Sequence, residues 1–141
     1  IKKPFTSLNP AYRKTSLKRE QIELFKDNLN NLFNDCDNAE KKNESEEHFK
    51  NIVSEFLKDT YFKGNHFVNT EKRKDLVIHN DKTSTSNVGV IIEVKRPSNK
   101  GEMVSFDKPN AKALHELLHY YLQERYIKDN NCYKYLRMVC F

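Results

Sequence analysis

Charged residues set inside two short apolar runs constrain this chain more than any other feature. Asp75-Leu76-Val77-Ile78 and Ile91-Ile92-Glu93-Val94-Lys95 flank a polar stretch, residues 80–87 (NDKTSTSN), that reads as a turn. The pattern predicts an antiparallel hairpin with strands over residues 75–79 and 88–95. Strand alternation puts Ile91, Glu93 and Lys95 on one face and Val90, Ile92 and Val94 on the other. Glu93 and Lys95 then stand about 7 Å apart on the same face. An acid and a lysine placed among isoleucines and valines cost desolvation free energy unless something compensates. A divalent cation bridging Asp75 and Glu93 would compensate.

The rest of the chain supplies helices around that hairpin. Residues 1–15 hold two prolines and no clear period, so they read as an extended arm. From Ser16 as N-cap, Ile22, Phe25, Leu29, Leu32 and Phe33 recur at helical spacing to about residue 34. Residues 34–44 (NDCDNAEKKNE) read as a polar linker. A second helix carries Phe49, Ile52, Val53, Phe56 and Leu57 on one face and ends before Gly64. A third, over residues 110–126, is expected to turn Leu114, Leu117, Leu118, Tyr121 and Leu122 inward, and a last strand begins near Tyr133. The order predicts an α/β fold of the α+β kind, one domain over residues 1–141, with a mixed central β-sheet flanked by helices. The chain opens on Ile1 and closes inside an apolar run (YLRMVCF), as expected of a domain taken from a longer protein.

Composition narrows the partners. Lys and Arg number 25 against 20 Asp and Glu, and the resulting net charge of +5 leans toward a polyanion. There is no apolar run of membrane-spanning length, and no charged-then-apolar segment at the start of the sequence reads as a signal peptide. The three cysteines, Cys36, Cys132 and Cys140, share no ligand spacing and suit free thiols in a reducing cytoplasm. Three glycines are too few for a loop that cradles phosphate.

Cutting a phosphodiester needs an activated water, a stabilised anionic transition state and a neutralised leaving oxygen. Mg2+ (or Mn2+) held by hard oxygen ligands supplies most of this. Asp75 and Glu93 are the expected ligands, with the backbone carbonyl of Val94. Lys95 is expected over the attacking water or the developing charge, so that its removal takes the activity and spares the fold. Glu46 shares the inward face of the second helix with Phe49 and Val53 and is the candidate third acid, whereas Glu47 points away. Each residue also has a plain alternative. Asp75 could end a strand after a charged run, Glu93 and Lys95 could be a solvent-facing pair, and Glu46 could complete a capping box with Asn43. The runs Lys72-Arg73-Lys74, Lys95-Arg96 and Asn99-Lys100 could follow a DNA backbone along the cleft.

Asp75, Glu93 and Lys95 resemble the catalytic signature of the PD-(D/E)XK nuclease superfamily, and Glu46 resembles the helix-borne Glu that often completes it. A longer likeness runs through KPFTSLNPAYRK, ESEEHFKNIVSEFL, DLVI, IIEVKRPSNKGEM and KALHELLHYYLQER. In that order these segments are similar to the N-terminal nuclease domain of type IIG restriction–modification enzymes. The resemblance implies a restriction-endonuclease-like core and Mg2+-dependent endonucleolytic cleavage of double-stranded DNA. It also implies methyltransferase and target-recognition domains in the same full-length chain. One departure is Lys74 where the signature has proline.

A competing motif lies on the third helix. His115-Glu116-Leu117-Leu118-His119 is a literal H-E-x-x-H, the signature of zinc metalloproteases. No histidine follows His119 to act as third ligand, and Glu124 is the only downstream glutamate and is too close to serve. The helix is therefore expected to carry His119 and Glu116 on its polar side, His115 at the boundary, and no zinc. The remaining alternative to an endonuclease is a non-catalytic or repair-type nucleic-acid-binding module with the same core.

Overall fold

The alternation of the hairpin sorts the helices onto two sides of one sheet in the computed structural model, which describes residues 10–71, 74–126 and 137–140. Four strands, β1 (Val68–Glu71), β2 (Lys74–His79), β3 (Val88–Glu93) and β4 (Arg137–Cys140), lie in that spatial order. The pairs β1/β2 and β2/β3 are antiparallel and β3/β4 is parallel, so the sheet is mixed. Leu76 lies opposite Ile92 and Val77 opposite Ile91, which makes the expected hairpin.

Among the described residues four helices accompany the sheet: α1 (Pro10–Arg13), α2 (Arg19–Lys41), α3 (Glu46–Leu57) and α4 (Lys112–Tyr126). A π-helical turn, Lys58–Phe62, prolongs α3, and Gly64 takes the left-handed turn that follows, at φ 85°. On one face of the sheet Leu76, Ile78, Ile92 and Val94 pack with Phe49 and Val53 of α3, and Leu32 and Ala39 of α2 join the same cluster. On the other, Val77, Val88 and Ile91 meet Leu117 and Tyr120 of α4. Each such buried aliphatic side chain contributes about 1.5–3 kcal/mol, so the hairpin forms the centre of both clusters.

Several boundaries differ from expectation. The arm predicted over residues 1–15 contains a helical turn from Pro10, whose fixed φ suits a first helical position. α2 is capped at Lys18 rather than Ser16: the Gln21 side chain accepts the Lys18 backbone N–H at 3.1 Å. It also runs through what reads as a linker, because Cys36 and Ala39 continue the stripe of Leu32 with smaller side chains. Burial and the neighbouring Asp35, Asp37 and Glu40 raise the Cys36 thiol pKa, which leaves it a packing residue. β1 was not anticipated, since VNTE has no apolar run and is a strand because Val68 pairs opposite Ile78.

The α4 stripe is rotated from the predicted one. Ala113 and Leu117 are buried and Tyr120 half-buried, while Leu118 and Leu122 are 39% and 48% exposed. Among the described residues no helix is long and apolar enough to cross a membrane. Residues 1–9, Lys72, Arg73, Cys132, Phe141 and the predicted start of the last strand at Tyr133 lie outside the described residues.

Candidate active site

The register that pairs Val77 with Ile91 carries Asp75, Glu93 and Lys95 onto one side, at the end of the hairpin where β2 begins and β3 has just finished. β3 stops at Glu93, so Lys95 lies two residues beyond the strand rather than within it. All three are buried: Asp75 is 5% exposed, Glu93 2% and Lys95 8%. Asp75 is fixed by the chain itself, since the backbone N–H of Val94 donates to its Oδ2 at 2.8 Å. Lys95 Nζ lies 2.6 Å from Glu93 Oε1, 2.9 Å from Glu116 Oε2 and 3.6 Å from Glu46 Oε1. Lys50 Nζ holds the other Asp75 oxygen, Oδ1, at 2.7 Å.

Glu46 is thus brought to the site, and its capping alternative falls away. Ser45, not Asn43, caps α3, with its Oγ accepting the His48 N–H at 3.4 Å, and Asn43 turns left-handed at φ 54°. Glu46 is then the first residue of α3 and reaches Lys95 from its N-terminal end. Glu47 is 63% exposed, as expected, and pairs only with Lys50 among the described residues. Arg96, expected along the cleft edge, donates to Asn43 Oδ1 at 2.6 Å and so ties the chain after Lys95 to the turn before α3.

Two members were not foreseen. The sequence places Glu116 on the polar side of α4 as part of H-E-x-x-H. Its position is three after Ala113 and four before Tyr120, on the rotated inward face, and it turns to Lys95. The flanking histidines are engaged elsewhere: His115 Nε2 with Asn110 Oδ1, and His119 Nε2 accepting from the Gln123 amide at 2.8 Å. Lys50, four residues after Glu46, reads in the sequence as one half of an ordinary helix-surface pair. The signal for Glu116 was its spacing from Ala113 and Tyr120, whereas nothing along the chain marks Lys50, which only the fold brings to Asp75.

Electrostatically the site is short of positive charge. Four carboxyls (Glu46, Asp75, Glu93, Glu116) face two buried or half-buried ammonium groups (Lys50, Lys95), and a third, the exposed Lys112, reaches Glu116 from outside at 4.0 Å. Burial, opposed by Lys95 and reinforced by the charge of Asp75, pushes the Glu93 carboxyl up to about 8. Its Oε2 is buried and has no hydrogen-bond donor among the described residues. Burial works against the ionised Glu116, but Lys95 and Glu93 outweigh it and hold Glu116 below its usual range. The two carboxyls that meet at Lys95 are thus pushed in opposite directions, Glu93 up and Glu116 down. Burial would lower Lys95, yet its bonds to Glu93 and Glu116 raise it instead, so it is a permanent cation at neutral pH.

The Glu93 shift makes a stability prediction. Its folded pKa, about 8, lies above its ordinary value of 4.5, so its contribution is fully present below the latter and lost as pH rises through the former. Without metal, wild type should lose stability between those two values, and Glu93→Gln should lose less. At pH 9 the variant should be the more stable by about 2 kcal/mol, the two converging near pH 4.5. Urea unfolding across that range, in chelator, reads this directly, and parallel pH profiles for the two proteins would refute it.

Comparison with known proteins adds one finding. The model of a family described as Domain of unknown function (DUF7149) matches residues 2–139. No curated protein and no solved structure matches the chain.

Proposed function

The chain belongs to that family, and from the geometry of the site we propose that it is a metal-dependent endonuclease domain that hydrolyses double-stranded DNA. The observation that carries the reading is the convergence of buried Asp75, Glu93 and Lys95, joined by Glu46 and Glu116, at one end of the hairpin. Such a site takes either a proton or a divalent cation, and hard oxygen donors on strand ends suit Mg2+ or Mn2+. Asp75 and Glu93 would hold the ion, with the Val94 carbonyl and Glu46 at its edge. The topology supports the same reading. A helix, an antiparallel trio of strands, a second helix and a strand parallel to β3 fit the restriction-endonuclease-like core of the PD-(D/E)XK nucleases.

A bound divalent ion would supply a polarised water and charge neutralisation at the phosphate. The residues divide the remaining work. Lys95, held charged, stabilises the anionic transition state. Glu116 aims Lys95 from α4 while Glu46 does so from α3, so the ammonium is positioned from two helices. Glu46 and Glu116, with side chains 33% and 29% exposed, form the rim by which a phosphodiester would reach the buried floor. Methyltransferase and target-recognition domains in the same polypeptide, and a reducing cytoplasm, belong to this reading.

The test is cleavage of supercoiled plasmid by the full-length protein with Mg2+, Mn2+ or chelator. Nicking or linearisation that needs the metal is expected, and binding of DNA without cleavage under any metal would favour a non-catalytic module. The histidines separate this chemistry from a zinc site. His115→Ala with His119→Ala should leave the cleavage rate within two-fold or so and stability within about 0.5 kcal/mol. Glu116→Gln, by contrast, should slow cleavage by roughly ten-fold or more, as expected when an electrostatic group loses its support. Loss of activity in the histidine pair with none in Glu116→Gln would reverse the assignment of this helix.

A further inference from the structure

Lys50 has no part in the chemistry described so far, yet it makes one of the shortest ion pairs in the site. Its Nζ lies 2.7 Å from Asp75 Oδ1, the oxygen that the Val94 N–H leaves free. The same Nζ is 3.3 Å from Glu47 Oε2, and while the Asp75 side chain is 7% exposed that of Glu47 is 63% exposed. Lys50 thus reaches a buried and a solvated carboxylate at once. Among the described residues no group of three or more acids, histidines or cysteines is already set as a metal cage; ammonium groups stand among the acids instead.

We propose that Lys50 is a resident counter-cation for Asp75, which competes with the divalent ion for Oδ1 and withdraws to Glu47 when that ion binds. The inference rests on reading Asp75 and Glu93 as the metal ligands. A buried carboxylate that shares a field with Glu93 destabilises the fold unless a positive partner stands beside it in every state of the protein. A lysine suits a temporary partner, because its flexible four-carbon stem lets a compact charge move without moving the helix. Two cations cannot share one carboxylate oxygen without mutual repulsion, so occupancy by one opposes the other. By linkage, whatever Lys50 contributes to the metal-free fold it subtracts from metal affinity.

The experiment is calorimetric titration of Mn2+ into the metal-free full-length protein, with melting temperatures before and after saturation. Lys50→Met should bind Mn2+ roughly ten-fold more tightly than wild type, within the usual range of coupling between sites. It should melt lower without metal and gain more on binding. Lys50→Arg keeps the charge and should behave nearly as wild type. Glu47→Gln removes the station to which the lysine withdraws and should weaken Mn2+ binding a few-fold. Unchanged or weaker affinity in a folded Lys50→Met protein overturns the proposal. If Lys50→Met does not fold without metal, an unchanged affinity in Glu47→Gln overturns it instead. Asp75→Asn in the same titration separates the two readings. Mn2+ uptake that survives Asp75→Asn, or is absent from wild type, defeats the metal site and this inference together. Uptake lost in Asp75→Asn but indifferent to Lys50 defeats the role of Lys50 alone.

Discussion

Lys95→Ala should abolish Mg2+-dependent cleavage and also destabilise the metal-free protein. Loss of one buried electrostatic contact to the transition state slows the reaction by roughly 10²–10³-fold. The second effect departs from the expectation that removing Lys95 would spare the fold. Lys95 is 8% exposed and holds Glu93, Glu116 and Glu46, so its loss strands carboxylates rather than opening a harmless gap. Breaking a buried ion pair from one side costs about 3–5 kcal/mol. Part of that cost can be relieved by protonation of Glu93 and Glu116, whose pKa values Lys95 lowers. The destabilisation should therefore be largest above pH 8, where Glu93 ionises, and smaller near pH 5. Single-turnover cleavage and urea unfolding at both pH values measure the two effects. Undiminished cleavage would remove Lys95 from the mechanism, and full stability at pH 8 would mean that the acids are paired by something other than this lysine.

What the sequence reveals about this site divides along the kind of signal involved. Strand alternation depends only on neighbours along the chain, so the hairpin, its two faces and the sharing of one face by Asp75, Glu93 and Lys95 were all readable. The helix stripe was less secure. In Leu114, Leu117, Leu118, Tyr121 and Leu122 the bulkiest apolar residues mark one direction, yet Leu117 and Tyr120 are the ones that pack with Val88 and Ile91 of β3, and Ala113 is buried on the same side of the helix. Size does not track burial on this helix, and the small rotation turns Glu116 inward beside the histidines. The length of α2 failed for the same reason, since Cys36 and Ala39 pack but do not look like a core. β1 was unreadable because its partner strand, not its composition, makes it a strand. Lys50 illustrates a further limit. Its local spacing announces a surface pair, and only the tertiary approach of Asp75 gives it a buried partner.

Asp75→Asn tests the site from the other carboxylate with the smallest possible change of shape. The asparagine carbonyl can still accept the Val94 N–H, so the backbone tie that places Asp75 survives. Its amide then faces Lys50 Nζ, donor against donor, at the position where an ion pair of 2.7 Å stood. The stability cost should be about 3 kcal/mol, the low end for a broken buried pair, because Lys50 can turn to Glu47. Loss of a charged ligand withdraws several kcal/mol of metal-borne stabilisation, so cleavage should fall by roughly 10³-fold or more. A third readout is independent of activity. The negative charge of Asp75 helps raise Glu93, so its removal must lower the Glu93 pKa toward the ordinary carboxyl range. Carbon-detected NMR titration of the glutamate carboxyls in metal-free protein follows that shift. A Glu93 pKa unmoved by Asp75→Asn would mean that the two acids do not share a field, and two acids that do not share a field cannot share an ion.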